Sequence, residues 1–312
     1  MIVFFLGAFL TRRVAFLRNY NIPEPVSGGL AMALFVWAVF YFTGRQIVFD
    51  LEVRDYLLVL FFSTIGLNAR IADLFKGGPL LLVLLVLTLI FMVLQNVVGL
   101  VGTLIFDLPT ELSVLLGSAS LIAGHGTAIA WGPQIQDMSG FDAAAEVGIA
   151  AATLGLVLAA SIGGPIAKYL IDRNDLQGER DAPPVVGLEF EDAESPEETV
   201  NHVSIMRATL AAHVAIFFGY IVHQAISAAG LQLPLFVPCL LVGILMSNTI
   251  PYIFPRLEWP TGSRALAILS DYSLSIFLAM SLMSMQLWTL AELGGPLLGV
   301  LALQVAMTCL LY

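Results

Sequence analysis

The sequence predicts an all-α integral membrane protein built from inverted repeats of five transmembrane helices. Each repeat is expected to carry a Gly-rich re-entrant loop, with the second repeat incomplete over this chain. Three observations point there. Hydrophobic residues fill 59% of 312 positions, charged residues only 12%, and the mean hydropathy is +0.92, whereas soluble domains carry about a quarter charged residues. Lys and Arg crowd into alternate connections between apolar runs. Short patterns recur in the same order across an acidic interruption.

The apolar segments follow from hydropathy breaks. Residues 1–11 form a short first segment, MIVFFLGAFLT, followed by Arg12 and Arg13. With its cations on the wrong side it is no cleavable signal peptide, and it reads as a first helix cut short. Helices are then predicted over 25–42, 56–68 and 79–106. The run from Leu80 to Phe106 has no charged residue, long enough to cross ~30 Å of hydrocarbon at ~1.5 Å per residue. A Gly/Ser/Thr-rich stretch covers 109–133, and a fifth helix covers 143–170. The first repeat is therefore 1–171 and an acidic linker 172–204. The incomplete second repeat is 205–312, with helices over 208–229, 235–254, 266–290 and from Pro296 onward.

Net charge is −10, but between Asp172 and Asn201 ten Asp/Glu face two Arg, with Pro183, Pro184 and Pro196 among them. This is a solvated linker rather than a surface for a basic partner, and no nucleic-acid partner is expected. Cys239 and Cys309 both lie in apolar runs and read as buried thiols, not a disulfide.

Orientation follows from the positive-inside bias. Arg12, Arg13, Arg18, Arg70, Lys76, Lys168, Arg173, Arg180, Arg207, Arg256 and Arg264 fall on the cytoplasmic side, with only Arg45 and Arg54 outside, provided that 109–133 does not span. The stretch is then a re-entrant loop. Non-helical backbone at membrane depth is tolerated only when it is buried in protein or lines a wet cavity.

Asp55-Tyr56 through Phe61 compares with Asp271-Tyr272 through Phe277, and Gly77-Gly78-Pro79 with Gly294-Gly295-Pro296, at offsets of 216 and 217. Pro23 and Gly28 match Pro238 and Gly243 at 215. The charge bias runs the matched helices in opposite directions, the arrangement of inverted-repeat transporters with a midplane site. At an offset of 217, the counterpart of the loop at Gly124 would fall at about position 341, beyond Tyr312.

The loop reads GSASLIAGHGTAIAWGPQ from Gly117 to Gln134. Gly124 and Gly126 allow close backbone approach, and Ser118, Ser120, His125 and Thr127 supply polar side chains. Freed carbonyls could coordinate Na⁺ and helix-start amides could hold a carboxylate; the alternative is small-residue helix packing. In IPEPVSGGL, Pro23, Pro25, Gly28 and Gly29 are expected to break the second helix near its start, beside Glu24 and Ser27. Glu24 reads equally as a cation ligand or a helix-start carboxylate. Ser63, Thr64 and Asn68 mark the short third helix as discontinuous, with Ser281, Ser284 and Gln286 corresponding. Gln95 and Asn96 read as interhelical hydrogen-bonding residues, and His213 and His223 as structural. No nucleotide loop, HExxH site or nucleophile elbow is present, so an enzyme is not expected.

IPEPVSGGL (22–30), FFSTIGLNARIADL (61–74), GHGTAIAWG (124–132), GLVLAASIGGPIAKYL (155–170) and SLSIFLAMSLMSMQLWTLAEL (273–293) together resemble the bacterial sodium/glutamate symporter family. The resemblance implies two inverted five-helix repeats joined by a cytoplasmic linker in the inner membrane. It implies Na⁺-driven L-glutamate uptake with Na⁺ held at the first re-entrant loop and no cofactor. It carries Gly124, His125, Gly126 and Thr127 onto the loop motif, and Pro25, Gly28 and Gly29 onto the second helix. Alternatives are another small carboxylate such as aspartate or a dicarboxylate, or a cation/proton antiporter. Oligomeric state is open between monomer and homodimer.

Overall fold

The computed structural model describes residues 1–15, 17, 22–72, 78–174, 200–231, 233–285 and 287–311. Among these every regular element is helical. The helices are α1 (Ile2–Arg13), α2 (Glu24–Thr43), α3 (Glu52–Asn68), α4 (Gly78–Ile105), α5 (Ser118–Leu121), α6 (Gly124–Ser139), α7 (Ala144–Asn174), α8 (His202–Ala228), α9 (Phe236–Ile253), α10 (Arg264–Met283) and α11 (Leu287–Leu311), with a single 3₁₀ turn at Thr110–Ser113. Six described helical stretches are long and apolar enough to cross a membrane: Glu24–Thr43, Gly78–Ile105, His202–Ala228, Phe236–Ile253, Arg264–Met283 and Leu293–Leu311. The protein is an all-α, multi-pass membrane protein.

Several boundaries differ from the sequence reading, each for a local reason. The second helix is not broken at its prolines: α2 is continuous from Glu24, with Pro23 as N-cap and Pro25 within the first turn. An amide is dispensable there, so proline costs nothing. Gly28 and Gly29 stay helical because neighbouring helices pack against them. The third helix begins at Glu52, not at residue 56, with Glu52 and Asp55 in its first turn, where carboxylates favour the helix dipole. It is 17 residues long, rather than about thirteen. α8 starts at His202 and takes in the last residues of the expected linker. Its capping box has Asn201 Oδ1 accepting from the Ser204 amide at 2.9 Å and Ser204 Oγ accepting from the Asn201 amide at 3.1 Å.

The predicted helix over 266–290 divides. α10 ends at Met283, where Ser281 and Ser284 turn their hydroxyls back onto the carbonyls of Phe277 and Ser281. α11 then begins at Leu287 and carries Pro296 in its interior. Residues 175–199, most of the expected linker, lie outside the described residues, as does Gln286.

The helices pack as two bodies. One holds α1, α2, α3, α8, α9 and α10 around a core that includes Val26, Leu57, Leu60, Ala212, Leu266, Phe277 and Leu282. The other holds α4, the 110–121 segment, α6, α7 and α11 around Leu112, Leu115, Leu116, Ala128, Val147, Val300 and Leu301. Each body draws helices from both sides of the acidic linker. The bodies touch where α6 meets α10, where α2 meets α11, and where Ile129, Ala130 and Trp131 of α6 join hydrophobic clusters with residues of α3 and α9.

Within the first body the pairings mirror one another. α1 lies on α2 as α8 lies on α9, and α2 lies on α10 as α9 lies on α3. The close approaches fall at corresponding places. A Cβ on Gly7 would run into the Glu24 carbonyl, and one on Gly219 would lie 2.6 Å from Cys239 Cα. Gly29 abuts Leu282, and Gly66 abuts Gly243 and Ile244. Small residues at crossings let membrane helices approach where the hydrophobic effect gives no drive between them.

Candidate functional site

The site is assembled around two helix interruptions. In the first, the chain leaves α4 and passes through the 3₁₀ turn. It then makes the single turn of α5 and restarts at Gly124, whose φ of +80° suits a residue without Cβ. α6 has no side-chain cap, so its first amides have no capping partner and add to the positive end of the helix dipole.

His125 Nε2 lies 2.9 Å from Thr153 Oγ1 on α7, and the Thr153 hydroxyl bonds to the Ile149 carbonyl at 2.9 Å. With its proton committed to Ile149, the hydroxyl accepts from His125, which makes Nε2–H the donor. His125 is thereby tied to α7. Gly126 lies opposite Phe277 of α10, with Cε1 3.9 Å from where its Cβ would stand. Thr127 is half-buried one residue on.

Phe277 is fully buried and starts the last turns of α10, which end at the half-buried Ser284 after Ser281. Gly29 of α2 meets the same segment at Ala279 and Leu282. The end of α10 is thus a hub where Gly126 of α6 meets Phe277 and Gly29 of α2 meets Ala279 and Leu282, with Ser281 in the same turns. Pro25, Ser27, Gly28 and Gly29 are all buried. Gly28 sits against the α1 backbone, and the Ser27 hydroxyl lies 3.3 Å from Thr11 Oγ1.

The second interruption is the end of α3. Ser63 and Thr64 are fully buried and bond to the carbonyls of Val59 and Phe61 in their own helix. Asn68 faces another loop, its Oδ1 accepting from the Gly262 amide at 2.8 Å. Side chains of the second half cap the carbonyls here. Ser247 Oγ donates to Ala69 O at 2.7 Å, Asn248 Nδ2 to Ala69 O at 2.9 Å, and Thr261 Oγ1 to Leu67 O at 2.6 Å. Asn248 Oδ1 also accepts the Ile71 amide at 2.8 Å. Sequence reading missed Ser247, Asn248 and Thr261. The available signal was an Asn late in an apolar helix, opposite an expected interruption. Asn248→Ala strips two partners from the backbone after α3 and should lower stability by ~1–3 kcal/mol. Thermal melting of the detergent-solubilised protein reads this directly.

Ser118 and Ser120 lie apart from the α10 hub, in the second body. There Asn96 Oδ1 of α4 accepts the Ser118 amide at 2.9 Å. Gln304 Nε2 of α11 donates to the carbonyls of Gln95 at 2.8 Å and Leu116 at 3.0 Å. The Asn96 side chain does bond across to another segment, as its position in an apolar run implied, whereas Gln95 is joined to α11 through its backbone carbonyl; Gln304 is a further residue missed by sequence reading. His213 bonds to Tyr56 Oη and to the Thr209 carbonyl, both at 2.7 Å, a helix-joining role. Among the described residues no group of three or more His, Cys, Asp and Glu could hold a metal ion. The oxygens on offer are neutral carbonyl, hydroxyl and amide oxygens, a set suited to a monovalent hard cation.

The sodium/glutamate symporter family profile matches residues 1–312. The sodium/glutamate symporter of Escherichia coli (strain K12) is 38% identical over 304 residues, which is 96% of this chain and 74% of that protein. That of Haemophilus influenzae is 35% identical over 309 residues, 98% of this chain and 75% of the relative. No solved structure matches. Similarity of this extent over nearly all its length makes the chain a member of the sodium/glutamate symporter family.

Proposed function

We propose that the protein is a secondary active transporter that couples L-glutamate uptake to Na⁺ entry across the bacterial inner membrane, and is not an enzyme. The observation that carries the mechanism is the two-body packing. A pair of helical bodies meeting at an uncapped helix start and a helix end can rock about that contact, which is how alternating access is achieved around a fixed site. The first repeat (1–171) and the incomplete second (205–312) are inverted copies in this reading. The mirrored pairings of α2 with α10 and α9 with α3, and the sequence matches at offsets of 215 to 217, support it. The segment 109–133 enters and leaves on the outer side, and the linker 172–204 is cytoplasmic, as the Lys/Arg distribution favours.

Substrate and Na⁺ bind around Gly124 to Thr127, where Gly126 meets Phe277 of α10. The α6 amides suit a carboxylate, and the missing side chain of Gly126 keeps the gap to Phe277 free of a methyl. Membrane potential contributes ~2.3 kcal/mol per net charge per 100 mV. A glutamate anion therefore needs more than one Na⁺ to move net positive charge inward.

Radiolabelled glutamate uptake into proteoliposomes should rise at least tenfold when an inward Na⁺ gradient replaces choline, and competition should follow glutamate over aspartate, malate and citrate. Uptake indifferent to Na⁺ would defeat the coupling. Stronger competition by malate or citrate would reassign the substrate to another carboxylate.

A further inference from the structure

We infer that a sodium ion is held between α4, α5 and α11 by the side-chain oxygens of Gln95 and Gln304, with Ser120 as the third contributor. The inference rests on the symport reading above and names a cation site distinct from the α10 hub.

The argument starts from hydrogen-bond accounting. Gln95 Oε1, Gln304 Oε1 and Ser120 Oγ are buried and have no hydrogen-bond partner among the described residues. Their residues are 5%, 3% and 2% exposed. Buried polar atoms are almost always paired, and leaving one orphaned is costly. For Gln304 the amide orientation is fixed. Its Nε2 donates to two carbonyls, those of Gln95 and Leu116, which an oxygen could not satisfy. Its Oε1 must therefore point away from both, toward something else.

Both glutamine side chains line one cavity of about 430 Å³ between α4, α7 and α11, whose walls include Leu121, Gly155, Leu158 and Leu301. Ser120 precedes the lining Leu121 on α5. The walls are otherwise apolar apart from Thr308 and Cys309, and the Thr308 hydroxyl already donates to the Gln304 backbone carbonyl at 2.8 Å, so the amide oxygens are the unpaired polar groups that a guest could bind.

What the guest is follows from charge. No Asp or Glu lines the cavity, and α4 has no ionisable residue along its length. A divalent cation would lack the carboxylates that normally compensate its charge. Three neutral oxygens suit a monovalent hard cation, whose hydration shell carbonyl-type oxygens can replace. The position also suits coupling. Gln304 belongs to α11, in the second half of the chain, and grips the Leu116 carbonyl just ahead of the interrupted segment that leads to Gly124. An ion drawing in Gln304 would bear directly on that segment.

Gln95→Met tests this, because the side chain keeps its length and apolar stem while losing the orphan oxygen. In NaCl against choline chloride, the purified wild-type protein should show a Na⁺-dependent rise in Tm. Gln95→Met should need at least ~10-fold more Na⁺ for the same rise. In proteoliposomes the half-saturating Na⁺ for uptake should increase similarly, with the glutamate KM at saturating Na⁺ within about twofold of wild type. Ser120→Ala reads the same quantity and serves alone if Gln95→Met does not fold. Variants that melt at or above the wild-type temperature with an unmoved Na⁺ curve would overturn the site and mark these oxygens as water-bound or simply unpaired. A wild-type protein that takes up glutamate without any response to Na⁺ would overturn the coupling itself, and the site with it. Wild-type coupling with unmoved variants would remove the site alone.

Discussion

Gly66→Ala should abolish accumulation of folded protein or lower its stability by about 3 kcal/mol, the upper part of the usual overpacking range. The added methyl would overlap the Leu240 carbonyl and lie 3.1 Å from both Gly243 Cα and the Ile244 amide nitrogen. All three are backbone atoms of α9, so no rotamer change relieves the contact. The crossing can only open, and opening it pulls the end of α3 away from Ser247 and Asn248, adding unpaired carbonyls to the steric cost. Gly295→Ala is the matched control. No atom of another helix lies within 4 Å of the added carbon there, and alanine should change stability by no more than about 1 kcal/mol, its helix propensity opposed by the crowding a Cβ meets before Pro296. Thermal melts in detergent and the yield of monodisperse protein separate the two. Equal behaviour of Gly66→Ala and Gly295→Ala would mean that α3 and α9 do not cross at Gly66.

This contrast also shows how much was legible in sequence. Membrane insertion, the number and order of the long helices, and the family were readable from hydropathy and motifs, because lipid leaves few choices to the backbone. Helix ends were less so. The end of α10 at Met283 and the passage of α11 through Pro296 depend on hydroxyl-to-carbonyl bonds and on neighbours, which hydropathy does not register. Nor could sequence tell which of the two roles, packing or ligand approach, each glycine serves. Gly28, Gly29 and Gly66 sit where another helix's atoms occupy the space a side chain would need, while Gly124 and Gly126 do not. The same letter in a motif therefore carries two meanings, and the neighbouring chain decides between them. Gln304 was overlooked for a related reason: one polar residue in an apolar run says nothing until Leu116 and Gln95 are found beside it.

Gly126→Ala should leave the protein folded and cut glutamate uptake by at least ~10-fold. The residue is within α6, half-buried, with no positive φ, and the nearest atom to an added Cβ is Phe277 Cε1 at 3.9 Å. Neither sterics nor backbone strain therefore requires glycine. On folding grounds alone alanine should be neutral or stabilising by up to ~1 kcal/mol, since glycine is the poorer helix former. If the space between Gly126 and Phe277 admits the substrate, a methyl placed there blocks the approach to the α6 amides, and the loss appears as a raised KM for glutamate with an unchanged melting profile. Gly126→Ser, slightly larger and polar, should lose at least as much uptake, because volume and not polarity is the obstacle. Wild-type uptake by Gly126→Ala would move the binding site away from the α6–α10 contact, and the reading of His125 and Thr127 as its neighbours would fall with it. Reduced uptake accompanied by a large drop in Tm would instead make Gly126 a packing residue like Gly66, contrary to the ordinary contact distance an added Cβ would have there.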